Sequence, residues 1–170
     1  MAPQRLKQVR IYCGIPDPIF DRPGNERMRR QISTWTRLDS KIEVIQRTLR
    51  YPKGWPIPEE AGAKPREKGV DIALAVDFVT MAARSEFDTG ILFSADTDFK
   101  PVLEFVTPYG IRANAEVAAW KANPTTNIAN KTYNQRLSLD GRGNLPFCHW
   151  LSIDDYDIIK DHTNYKYRTP

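Results

Sequence analysis

The chain has 170 residues, 41% hydrophobic and 27% charged, which fits one ordinary globular domain and excludes a disordered polyelectrolyte. Net charge is +4 with a pI near 9.1, a mild excess rather than the strong one of a dedicated nucleic-acid binder. The opening MAPQRLKQVR lacks the apolar core of a signal peptide, and no apolar run reaches the roughly 20 residues of a membrane span. These features imply a soluble, cytoplasmic protein.

Val9–Cys13 is a short β-prone run stopped by Gly14 and the Pro16–Pro18 turn. Asn25 is the expected cap of a helix running to Leu38, with Met28, Ile32 and Trp35 on one stripe. Asp39 and Ser40 break it, and Ile42–Leu49 reads as a strand. The Pro- and Gly-rich stretch from Tyr51 to Pro65 is a long loop, of a length often kept for function. Val70–Ala83 is apolar enough to predict a largely buried helix, its Ala75, Phe78 and Ala82 face packed on a sheet. Thr89–Ser94 is a nearly all-apolar run, the pattern of a central parallel strand.

Phe99, Val102, Leu103 and Val106 recur at helical spacing, with Pro101 tolerated in the first turn and Pro108 and Gly110 ending the helix. Ile111, Ala113, Ala115 and Val117 alternate with polar residues, predicting another strand. Asn123–Leu145 reads as loop, Phe147–Leu151 as a strand and Asp154–Ile159 as a last short helix. Strands alternating with helices predict an α/β fold with a mostly parallel sheet covered on both faces. The working site of such a fold lies at the carboxyl ends of its strands.

Charge is unevenly placed. Arg27, Arg29, Arg30, Arg37, Arg47, Arg50, Lys53, Lys64, Arg66 and Lys68 precede the acids Asp71, Asp77, Asp96 and Asp98. A basic surface beside an acidic cluster suits a polyanion held near bound metal, although solvated helix and loop charge has the same composition. Asp96 and Asp98 follow the apolar strand directly. Two carboxylates this close repel, and a divalent cation relieves that repulsion; oxygen-rich clusters suit Mg²⁺ or Mn²⁺. Taken singly, Asp98 is also a plain helix cap or first-turn acid, and Asp96 a loop acid held by backbone N–H groups.

Asp71 opens the apolar helix and is expected to point toward the strand ends. Asp77, about 240° further round the helix, is expected to be structural. Cys13 and Cys148 read as reduced core thiols, and His149 and His162 lack zinc spacing with them.

The stretch Lys68-Gly69-Val70-Asp71, running through an apolar helix to Asp77, resembles the signature of the NYN domain, a branch of the PIN-like nuclease superfamily. Asp88 to Phe99 resembles the family's next block, an apolar strand running into Ser-Gly-Asp-Ser/Thr-Asp. Pro101, Glu104, Gly110 and the strand ending at Trp120 continue the likeness, which covers about Val9 to Leu151. The resemblance implies a three-layer PIN-like Rossmannoid fold and metal-dependent cleavage of RNA phosphodiesters. Asp71, Asp96 and Asp98 would then be the catalytic and metal-binding acids, with Mg²⁺ or Mn²⁺ as cofactor.

RNA, single-stranded or structured, is the expected partner. Lys64, Arg66 and Lys68 are candidates to hold its phosphates and Trp55 to stack on a base, or alternatively to fold over the core edge. Homo-oligomerisation is left open. The family's opening strand, which ends in a further metal-binding Asp, has no match before Val9, and Arg5–Gln8 resembles the tail of the helix that follows it. The resemblance therefore implies a single domain over residues 1–170, incomplete at its N-terminus, with 152–170 as a C-terminal extension. Asp17 is a weak substitute for the missing acid. A catalytically degenerate RNA-binding or protein-interaction module is the alternative. A glycosyltransferase using Asp-x-Asp has no other support in the chain.

Overall fold

The computed structural model describes residues 5–56, 62–106, 113–121, 137, 139 and 146–166. Strands and helices alternate along it: β1 (Val9–Ile15), α1 (Arg22–Leu38), β2 (Ile42–Thr48), α2 (Val70–Ala83), β3 (Thr89–Phe93), α3 (Lys100–Val106), β4 (Asn114–Trp120), β5 (Cys148–Leu151) and α4 (Ile153–Ile159). Among the described residues the three strand pairs are parallel. This mixed α/β pattern is that of a PIN-like Rossmannoid fold. The expected loop at 123–145 and the helix-ending Pro108 and Gly110 lie outside the described residues, Leu137 and Leu139 apart. Among the described residues no helix is long and apolar enough to cross a membrane.

The chain divides into two compact units, residues 1–74 with 163–170, and residues 75–162. In the first, β1 and β2 pair from Val9↔Ile42 to Ile15↔Thr48. The helix joining them starts earlier than the sequence predicts. Asp21, not Asn25, is its cap, accepting a hydrogen bond from the Gly24 amide at 2.9 Å. Asn25 is instead buried, its amide donating to the Pro16 carbonyl while its Oδ1 accepts from Arg29. Either side chain is a good cap, but Pro23 prefers the first turn, and that places the cap ahead of it. Ile32 and Ile15 are buried here.

Beyond β2, the backbones of Arg50 and Arg66 exchange both hydrogen bonds, at 2.8 and 3.0 Å, and so close the base of the predicted long loop. Within the loop Trp55 packs edge-to-face on Tyr51, which stacks on Phe20 with ring centroids 4.6 Å apart.

The second unit holds most of the buried apolar side chains: Leu92, Phe99, Val102, Leu103, Val106, Ala115, Val117 and Ala119 among them. Burying each large one is worth about 1.5–3 kcal/mol. The alternation expected around Ala113, Ala115 and Val117 is realised, with all three buried. The spacing of Phe99, Val102, Leu103 and Val106 likewise marks the buried face of α3 and the turn before it.

Two expectations need correction. Among the described residues the apolar run at β3 is not central; the sheet order there is β3-β4-β5, with β3 at its end. On one face the rings of Phe78 and Phe87 lie against Gly90 and Leu92 is buried, while on the other Ile91 and Phe93 are each 52% exposed. Helix α2 is not buried all round either. Val70, Ala73 and Ala82 are buried, but Ile72 and Val76 are exposed at 69% and 56%. In both cases apolar composition reports what can be buried, while the number of covering neighbours decides what is.

Candidate functional site

Strand β3 ends at Phe93, and three residues carry the chain from it into a 3-10 turn, Thr97–Phe99, that leads directly into α3. Asp96 caps this turn. Its Oδ1 accepts a hydrogen bond from the Asp98 amide at 3.0 Å, and its own amide donates to Ser94 Oγ at 3.1 Å. Asp98 sits in the first turn. The structure thus gives the cap to Asp96 and the first-turn position to Asp98. The local reason is geometric: the Asp96 backbone is extended (φ −74°, ψ 125°), which aims its side chain at the amide two residues on.

Phe99, buried at the end of the turn, anchors this short segment, and Leu103 and Val106 anchor the helix behind it. The two carboxylates are left at the surface, both exposed. One Asp96 oxygen is engaged with backbone; its second oxygen and the Asp98 carboxylate face solvent. Hard oxygen donors, few in number and open to water, are what Mg²⁺ or Mn²⁺ takes, since these ions keep several waters and use one or two carboxylates. Asp96 and Asp98 are oxygen donors of the type that divalent cations take.

Asp71 belongs to the first unit. It stands exposed in the first turn of α2, one residue after buried Val70. Gly69 opens that helix with φ +78°, a conformation that side-chain-bearing residues seldom adopt, and its carbonyl accepts the Ala73 amide. Asp77 is half-buried in the middle of the helix. Among the described residues, no three His, Cys, Asp or Glu side chains form a group that could hold a metal ion.

The candidate RNA contacts Lys64, Arg66 and Lys68 are all exposed, on the segment leading into α2. Trp55 is half-buried against Tyr51. Among the described residues Cys13 and Cys148 form no disulfide; Cys148 is buried, as the sequence implied, while Cys13 is only half-buried.

Sequence reasoning missed three arrangements. Glu67 turns back to the Gly14 amide at 2.7 Å. Glu116 and His149, neighbours across β4 and β5, meet at 2.6 Å. Arg29, Arg30 and Arg37 line a cleft with residues 163–165. Only the last left a sequence signal, basic residues at positions i, i+1 and i+8 of one helix, and its second wall comes from the far end of the chain.

The family model of the NYN domain matches residues 5–135, well over half of the chain. No curated protein and no solved structure matches it.

Proposed function

This chain belongs to the NYN domain family, within the PIN-like superfamily, and from that premise we propose that it is a metal-dependent ribonuclease cleaving RNA phosphodiester bonds. The family is of nuclease type; its members generally bind RNA and use divalent metals. The observation that carries the proposal is the pair Asp96 and Asp98. They lie just past the carboxyl end of a parallel strand, where α/β folds place their chemistry, with carboxylate oxygens turned to solvent.

Asp96 and Asp98 would hold Mg²⁺ or Mn²⁺, with water in the ion's remaining positions. Such an ion, when bound, lowers the pKa of a water and offsets negative charge developing on a phosphoryl group. The chain's own contribution is positional. The Asp98 amide, held by Asp96 Oδ1, fixes the direction of the Asp96 carboxylate. The buried Phe99 side chain holds the turn against its unit. Lys64, Arg66 and Lys68 supply positive charge to hold a strand's phosphates, and Trp55 supplies a ring on which an unstacked base stacks.

The test is cleavage of end-labelled single-stranded RNA with Mn²⁺, by the wild type and by Asp96→Asn with Asp98→Asn. Cleavage that stops with chelator and in the double variant, while RNA binding survives, is the expected result. Undiminished cleavage by the double variant would remove these acids from the mechanism. Binding without any cleavage by the wild type would make the protein a non-catalytic RNA-binding module.

A further inference from the structure

Helix α1 presents Arg29, Arg30, Ser33, Thr34 and Arg37 along one side, and residues 163–165 lie against them to enclose a cleft of about 250 Å³. Each arginine is fixed through its inner nitrogen by a neutral acceptor. Arg29 Nε donates to Asn25 Oδ1 at 2.9 Å, Arg37 Nε to the Ser33 carbonyl at 3.1 Å, and Arg30 Nε and Nη2 to the Tyr165 carbonyl at 3.1 and 2.9 Å. These bonds orient the guanidinium planes without cancelling their charge. Among the described residues Arg29 and Arg37 have no carboxylate partner, and Arg30 has only Glu26, at 3.9 Å. The result is a concave polar site of net positive charge, with its planar donors already positioned.

Planar guanidinium forks match phosphate oxygens in a way that ammonium groups do not. From Arg29 to Arg37 the helix rises about 12 Å, at 1.5 Å per residue. That span exceeds one phosphate and suits consecutive phosphates of an extended strand. Apart from the half-buried Tyr165, the lining carries no aromatic ring to read a base. Phosphate contacts position a strand without reading its sequence.

We propose that this cleft is a phosphate-binding subsite for a single RNA strand, holding the backbone through Arg29, Arg30 and Arg37 without base selectivity. The proposal rests on the RNA-binding part of the reading above and not on cleavage. It also gives the C-terminal residues 163–165 a function, as the second wall of the subsite.

The experiment measures RNA affinity of the full chain across a salt series, without added divalent metal. It compares wild type, Arg29→Gln with Arg37→Gln, and Arg22→Gln with Arg27→Gln. The last pair removes the same charge from other positions of α1 and serves as the control. Arg30 is left in place because it ties down Tyr165. Each phosphate contact contributes about 0.7 to the slope of log affinity against log salt for single strands, so losing two lowers the slope by about 1.4. Taking the electrostatic contribution to vanish near 1 M, that is a loss of roughly 60-fold at 50 mM salt. Unchanged thermal melting of both variants confirms that folding is intact.

Equal losses in the two variants would overturn the subsite and leave only diffuse charge. No loss in Arg29→Gln with Arg37→Gln would overturn it while leaving RNA binding intact. Two further arms separate the sources of phosphate. Arginine Nε resonances that move with inorganic phosphate but not with RNA would assign the cleft to a small anion. Retention on phosphatidylserine vesicles, lost in the same variant while RNA affinity holds, would assign it to a membrane surface. Either result overturns the proposal. Slope loss as expected, with no cleavage under any condition, sustains the subsite and removes only the nuclease reading.

Discussion

Glu67 Oε1 accepts a hydrogen bond from the Gly14 amide at 2.7 Å, joining the segment before α2 to the end of β1. Val9 donates to Lys41, and Ile15 accepts from Leu49, so the odd positions of β1 face β2. Gly14 therefore points its amide away from β2, and the Glu67 carboxylate is its partner. The contact leaves no room for a side chain. A Cβ on Gly14 would lie 2.6 Å from a Leu49 methyl and 2.7 Å from Glu67.

Gly14→Ala is expected to lower stability by about 1–3 kcal/mol, the usual cost of forcing extra carbon into a packed site. Glu67→Gln keeps an acceptor and is expected to cost less than Glu67→Ala. Denaturant titration of the three variants checks the order; an Ala at position 14 as stable as the wild type would show that Leu49 and Glu67 move aside.

The same carboxylate bears on a neighbouring thiol. Burial, and secondly the negative charge of Glu67, push the Cys13 thiol above its ordinary range. Both disfavour the thiolate, which is the reactive form. Cys13 should alkylate more slowly at pH 8 than a thiol in the unfolded chain. Glu67→Gln should speed it without restoring the unfolded rate, because burial remains. Site-resolved mass spectrometry of the alkylated chain reads both effects, and identical rates in wild type and variant would exclude the charge contribution.

At the acidic pair, capping and metal binding separate by substitution. Asp96→Asn keeps an oxygen for the Asp98 amide and should hold stability while weakening Mn²⁺ binding. Asp96→Ala loses the cap as well and should cost roughly 1 kcal/mol more. Calorimetry with Mn²⁺ beside thermal melting distinguishes the two roles. Wild-type Mn²⁺ affinity in both Asp96→Asn and Asp98→Asn would leave the pair as a cap alone.

Helix α4 carries a titratable lock. Ser152 Oγ accepts from the Asp155 amide, and the Asp155 carboxylate accepts from the Ser152 amide at 2.6 Å and from its hydroxyl. The Ser152 amide first, and its hydroxyl second, hold the Asp155 carboxyl below its ordinary value. A depressed carboxylate stabilises the fold above the unfolded value, about 3.9, and that contribution is lost as pH falls through the lower folded value. The helix should therefore be unaffected from pH 7 to about 5 and fray only below about 4. Amide chemical shifts of Ser152 and Asp155 followed with pH report this, and Asp155→Asn should remove the pH dependence.

Much of the fold was legible locally. Helix α3 follows from four apolar residues at helical spacing, and β4 from alternation at Ala113, Ala115 and Val117. The acids Asp96 and Asp98 could be placed past a strand end because an apolar run stops there and a helix pattern begins. These are short-range signals: periodicity, capping chemistry and breakers act over a few residues and are written in order along the chain.

What the local pattern could not decide was anything set by distant neighbours. Composition marked β3 as central and α2 as buried, but the count of covering elements left Ile91, Phe93, Ile72 and Val76 exposed. The cap expected at Asn25 falls instead on Asp21, because Asn25 donates to the Pro16 carbonyl and is buried. The partner of Gly14 is 53 residues away, and the carbonyl that orients Arg30 is 135 residues away. The sequence by itself determined which segments become strands and helices, and which acids stand at a strand's end. Tertiary structure alone decided which faces are covered and which charges are left without a counter-charge, because burial and pairing depend on what the folded chain brings near, not on what lies beside a residue in sequence.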